Sequence, residues 1–145
     1  MSSDDPISYG AAGRTLETWL EGVRQGWPDD DVGRLIVHGL PRWFHALDRT
    51  RQAEVLAQRP GRTGSRWDAL LAATVEHLCE LHGHSVPTWV DEPERFLEET
   101  WVLATTPVIR RESLLYAPPA FIRHGAVPDP ADLDERGGER FAWVL

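Results

Sequence analysis

Residues 63–101 read TGSRWDALLAATVEHLCELHGHSVPTWVDEPERFLEETW, and their pattern decides the fold class. Trp67, Leu70, Leu71, Thr74, Val75, Leu78 and Leu81 recur at helical spacing, which predicts a long helix with a broad apolar face. Ala69, Ala72 and Ala73 add helix propensity and permit close approach of neighbours. Ser65 is placed to cap it, with Asp68 three residues on in an approximate capping box. Gly83 is the expected stop and Pro87 reinforces it. A helix with so wide an apolar face has neighbours on more than one side.

Working back from this helix, residues 59–64, RPGRTG, read as a loop. Asp48 or Thr50 can cap a further helix that runs through Gln58. Between Asp29 and Leu47 the apolar spacing is helical, but Pro41 removes a hydrogen bond and crowds the preceding turn. Gly39 then reads as a helix end and Pro41 as the start of a new helix, so two short helices are favoured over one kinked helix. A helix over about Thr15 to Gln25 presents Leu16, Trp19, Leu20 and Val23 on one face, and Gly26-Trp27-Pro28 ends it. Residues 1–12 are small, polar and expected to be flexible.

Working forward, Pro93 suits the start of a short helix to Glu99, with Phe96 and Leu97 turned inward. Trp101-Val102-Leu103 is a short apolar run, either anchored as a loop or a single strand. Pro107 opens another helix whose apolar members are Val108, Leu114 and Leu115. Phe121-Ile122 with Gly125 predicts one more helical turn, and Asp129 to Leu133 a capped turn. Residues 141–145 are apolar enough to dock back. The expectation is one all-α domain over residues 13–145, a single compact domain of about six or seven short helices.

Composition narrows the function. The 145-residue chain has no lysine, and all fifteen of its Lys/Arg residues are arginine. A phosphate loop ending in Gly-Lys, a Schiff-base lysine and a Ser–Lys dyad are therefore excluded. The net charge of −8 argues against a general nucleic-acid coat or an anionic-membrane binder. Residues 49–66 hold five arginines and one glutamate, whereas residues 67–105 hold eight acids against Arg95 alone. Such alternation can steer a partner, although a solvated surface gives the same pattern. Cys79 is the single cysteine, so no internal disulfide forms. The N-terminal residues do not read as a signal peptide, no apolar run approaches the ~20 residues of a membrane span, and a cytoplasmic location is the default.

Candidate chemistry is sparse. Cys79 and His82 share a helix face, but His77 points about 200° away and His84 lies past the helix stop. A structural zinc site needs four ligands in defined pairs, so no metal and no cofactor are expected. Cys79 reads as a small packed hydrophobe, with the histidines on the solvent side or in the turn. Glu92, Glu94, Glu98 and Glu99 read as an exposed acidic segment, and no serine sits in a GxSxG elbow.

The run from Leu56 to Leu103 resembles a widespread family of small actinobacterial proteins. Its pattern is TGD-xRWDALLAAxAEHLA, then P-x-W, then PxRFL and a tryptophan, followed by an SPAAFRRRG-like segment, here Leu115 to Gly125. An acidic DADDL-like stretch corresponds to Asp129 to Leu133. In some relatives this module follows a helix-turn-helix domain and looks like the antitoxin or adaptor half of a toxin–antitoxin pair, beside a nucleotidyltransferase-like toxin. No basic recognition helix precedes it here. The pattern carries no catalytic residues, so the resemblance implies a non-enzymatic interaction module with a protein partner.

The expected partner-binding residues are Trp89, Glu94, Glu98, Trp101 and Arg110, an acidic segment between two tryptophan anchors. Two alternatives stay open. One is an enzyme or small-ligand binder whose site forms only in three dimensions, for instance around His77, Glu80, Trp101 and Arg110. The other is an RNA-binding accessory protein that uses arginines 49, 51, 59, 62 and 66.

Overall fold

A computed structural model describes residues 14–133. The expectations for residues 1–12 and 141–145 lie outside the described residues. The described chain is mostly helical with two short strands, as the apolar periodicity requires. Its internal contacts divide it into two units that meet in sequence at Gly61–Arg62.

In the first unit a 3₁₀ turn, Leu16–Leu20, runs directly into α1, Glu21–Gln25. Gly26 ends α1 in the left-handed region (φ 74°). The Trp27 amide then donates to the Gly22 carbonyl at 2.9 Å. A Cβ at Gly22 would lie only 2.7 Å from the Trp27 ring, so glycine at this position lets the indole fold back on the helix.

The next segment differs from the two separated helices expected. The chain runs through α2, Asp29–Arg34, a π turn, Leu35–Gly39, and α3, Leu40–Ala46, without leaving helical geometry. Gly39 itself is right-handed helical (φ −65°, ψ −48°). The Leu40 amide donates to Leu35, five residues back. This wider turn makes room for the Pro41 ring, so the helix carries the proline by a π bulge instead of breaking.

Gln52 closes the end of α3 by donating to the carbonyls of Phe44 and Leu47 at 3.0 and 3.2 Å. Asp48 caps α4, Arg49–Ala57, by accepting from the Arg51 amide at 2.8 Å. Leu20, Ile36, Leu40, Phe44 and Val55 are fully enclosed, and the rings of Trp19 and Trp43 meet at 5.5 Å.

The second unit is organised around α5, Trp67–His82, in which every residue from Trp67 to Cys79 is buried. Gly83 ends it in the left-handed region as expected (φ 71°). α5 packs on α7, Pro119–His124, on 3₁₀ turns at Thr88–Asp91 and Pro93–Arg95, and on β2, Ala126–Val127. β2 pairs in parallel with β1, Trp101–Val102, in the register Trp101↔Ala126. Between β1 and α7 lies α6, Pro107–Tyr116.

The helix expected over Pro93–Glu99 is only the single turn Pro93–Arg95. Phe96 is extended (φ −127°, ψ 139°), which carries its ring onto His124 at a centroid distance of 4.2 Å. A tertiary stack thus overrides the local pattern.

Candidate functional site

The N-terminus of α5 is built on Asp68. Its carboxylate accepts from the Thr63 amide at 2.9 and 3.0 Å, from the Gly64 amide at 2.9 Å and from the Thr63 hydroxyl at 2.8 Å. The side chain is almost fully enclosed. Instead of pairing with Ser65 in a simple capping box, Asp68 ties the loop before it to the helix. Ser65 contributes a longer bond from the Trp67 amide to its Oγ, 3.3 Å.

Deeper in the unit, α5 presents Glu76 to α7. Arg123 donates to both Glu76 oxygens from Nε at 3.1 Å and reaches Asp91 through Nη2 at 2.5 Å. His124 Nε2 lies 2.9 Å from Glu76 Oε1, and His124 Nδ1 lies 2.6 Å from the Arg95 carbonyl oxygen. Burial alone pushes the Glu76 carboxyl up, but the hydrogen bonds from Arg123 and His124 outweigh it and hold it below the ordinary carboxylate range. Arg123 is in turn held more firmly protonated by Glu76 and Asp91. His124 thus stands between a carbonyl oxygen and a carboxylate, with both of its ring nitrogens in contact with an oxygen.

Arg95 extends the same network. It is completely buried, pairs with Glu92 at 2.9 Å and lies over the Trp89 ring at 4.9 Å. Arg123 covers Phe96 at 5.0 Å. Sequence reasoning missed this assembly, because Glu76 and His124 stand 48 positions apart. Trp89, Arg95 and Phe96, from the P-x-W and PxRFL stretches, form its walls. Chemically the Glu76–His124 pair has the composition of an acid–base dyad, but His124 is fully buried and both of its nitrogens are engaged. It can hold elements together, and neither nitrogen is placed to take a proton from a bound molecule.

The five expected partner-binding residues occupy different settings. Trp89 is buried beneath Arg95. Trp101 is half-buried, meets Trp67 edge-on at 4.9 Å and is covered by Arg66 at 3.9 Å. Glu94 is exposed and pairs with Arg62 at 2.6 Å, so one arginine of the 49–66 cluster meets the acidic segment within the second unit. Glu98 is exposed. Arg110 donates to the carbonyls of Val102 and Ala104 at 3.3 and 3.0 Å, fastening α6 to the strand.

His77 is buried against Phe121, at a ring distance of 5.6 Å, rather than on the solvent side. Close packing around α5 leaves few of its positions wet. Cys79 is enclosed, and burial, with Glu76 and Glu80 adding to it, pushes its thiol up to about 12. Among the described residues no group of three His, Cys, Asp or Glu side chains is arranged to hold a metal ion. No helix among them is long and apolar enough to cross a membrane.

The most unusual surface is α6. Its apolar members face outward: Val108 is 58% exposed, Leu114 50%, Leu115 67% and Tyr116 70%. Ser113 alone is buried, its hydroxyl donating to the Ile109 carbonyl at 2.7 Å. Ile122 on α7 is also half exposed. Sequence reasoning marked Val108, Leu114 and Leu115 as apolar but gave no sign of which side the protein lies on. The chain matches no family model, no curated protein and no solved structure.

Proposed function

We propose that this protein is a non-enzymatic interaction module, an antitoxin-like or adaptor subunit, that docks a protein through the outward face of α6. The observation that carries the reading is the row of large apolar side chains on one short helix, led by Val108, Leu115 and Tyr116. Soluble monomers seldom spend such residues on solvent, and contiguous apolar surface of this kind marks docking sites. The polar groups best suited to chemistry favour the same reading, since Glu76, Arg95 and His124 are absorbed in buried pairs. The acidic residues Glu94 and Glu98 and the exposed part of Trp101 supply further surface on the same unit.

The resemblance to antitoxin-like modules supports a protein, such as a nucleotidyltransferase-like toxin, as the docked molecule. The test is co-purification from the native host with the wild-type chain and with Leu115→Glu. The variant should keep the wild-type circular dichroism and melting temperature and lose the bound protein. Retention of the same protein by Leu115→Glu, or the absence of any bound protein with wild type, overturns the reading.

A further inference from the structure

We infer that the solvent side of the helical run from α2 to α3, in the first unit, docks an acidic helical segment of a protein, independently of the outward face of α6 in the other unit. No acidic residue lies between Asp31 and Asp48. Within that stretch positions 32, 33, 35–37, 40, 41, 43 and 44 are all buried. Arg34 and Arg42 are exposed, and His38 and His45 are half-buried. Burial of the positions between them places these four on one side of the run, at the spacings of three and four that share a helix face. The other outward positions, Gly39, Ala46 and Leu47, carry no charge.

This side is therefore a row of cations and imidazoles without a carboxylate among them. Arg34, His38 and Arg42 form no ion pair among the described residues. By contrast, Arg24 is paired with Glu17, Arg62 with Glu94, and Arg123 with Glu76 and Asp91. Arg34 to His45 spans roughly 16 Å of helix in steps of about 4.5–6 Å. Carboxylates three or four residues apart on a second helix repeat at the same steps. A guanidinium meets a carboxylate through two parallel N–H bonds, and each imidazole adds a further N–H donor.

Two observations favour an acidic peptide over a nucleic acid. Trp43 and Phe44 are turned into the core, so the row has no aromatic platform on which a base could stack. Asp29, Asp30 and Asp31, all exposed, open the same helical run. A phosphate chain continuing past Arg34 meets these like charges, whereas a short acidic segment ends before them. Contacts of this exposed kind are individually small, so the docking is weak and sensitive to salt.

Fluorescence anisotropy with the intact chain tests this at low ionic strength. The probe is a labelled alanine-based peptide of about 20 residues, long enough to be helical, with glutamate at every fourth position. The glutamate peptide should bind saturably and its glutamine counterpart should not. Arg34→Gln and Arg42→Gln should each weaken binding about threefold, while Arg111→Gln, an exposed arginine on α6, leaves it unchanged. The double variant Arg34→Glu with Arg42→Glu should lose the glutamate peptide and take up its lysine counterpart, a gain that damage to the fold cannot produce.

Failure of the wild type to bind the glutamate peptide overturns the inference, as does a charge-reversed variant that ignores the lysine peptide, or an equal loss with Arg111→Gln. Tighter binding of a single-stranded RNA of equal charge assigns the row to phosphates and overturns the acidic peptide. Leu115→Glu should leave the peptide titration unchanged, which separates this surface from α6: either can fail its own test while the other stands.

Discussion

Nε2 of His124 lies 2.9 Å from Oε1 of Glu76, joining the C-terminal end of α7 to the middle of α5 where His124 is closed off from solvent. The carboxylate is shared with Arg123. This one contact fixes the direction in which α7 crosses α5, and through the Arg95 carbonyl it also fixes the turn at Pro93–Arg95.

Glu76 makes the stability of the second unit acid-sensitive. Its folded pKa is depressed below an ordinary value of 4.5. Its contribution is therefore present above the unfolded pKa and is lost as pH falls through the folded one. Melting temperatures measured from pH 7 downward should hold until about pH 4.5 and then decline. Glu76→Gln should lower stability at pH 7 by roughly 1–3 kcal/mol and flatten the acid limb. An acid limb unchanged in the variant would assign the loss to other groups.

His124→Ala removes the ring that contacts Glu76 and the Arg95 carbonyl and empties a space beneath Phe96. Denaturant unfolding should register a loss of about 3–5 kcal/mol. The double variant with Glu76→Gln should cost clearly less than the two single losses combined, since the residues act through one contact. Additive losses would refute that coupling.

Arg95→Lys keeps the charge but lacks the planar fork that reaches Glu92 while lying over Trp89. A loss of about 2 kcal/mol is expected, together with a change in native tryptophan emission from the altered cover over Trp89. An unchanged emission spectrum and unfolding midpoint would mean that the stack carries no weight.

Gly83 and Gly125 both adopt positive φ but stand in different surroundings. Around Gly83 a Cβ meets open space, whereas at Gly125 it would lie 3.0 Å from the Leu97 carbonyl oxygen. Gly83→Ala should cost only the left-handed backbone term of about 1 kcal/mol. Gly125→Ala should cost visibly more, because backbone at Leu97 must also shift. Equal unfolding midpoints for the two variants would contradict this.

Cys79 should ignore a thiol reagent in the native protein at pH 8. It is enclosed and its thiol is pushed up to about 12, leaving almost no thiolate. Complete labelling on unfolding and slow labelling before it would make the reaction rate a measure of how often the second unit opens. Rapid native labelling would show that α5 is less enclosed than its packing indicates.

The sequence carried some of these features openly. Four turns of apolar spacing identified α5, and Gly83, Pro107 and Gly125 punctuate the chain where the structure turns. Each is a local signal with a local cause. The π turn before Pro41 was not legible, because the proline disfavours a regular helix and the packing around Leu35 to Phe44 keeps a modified one. The Glu76–Arg123–His124 assembly was not legible either. His124 reads as an ordinary basic residue at a helix end until α7 is laid against α5. For α6 the periodicity gave the apolar residues correctly, but periodicity has no sign, and only the fold reveals that they look away from the protein.

The bonds that Asp68 makes to Thr63 and Gly64 have one more implication. All of these donors lie after Arg62, within the second unit. The start of α5 therefore carries its own closure and borrows none of these bonds from what precedes it. A segment sealed in this way can be joined behind unrelated sequences without reworking its first turn. Evolution can reuse such a segment as a portable part, changing what stands in front of it while the buried arginine, the tryptophans and the outward helix travel together.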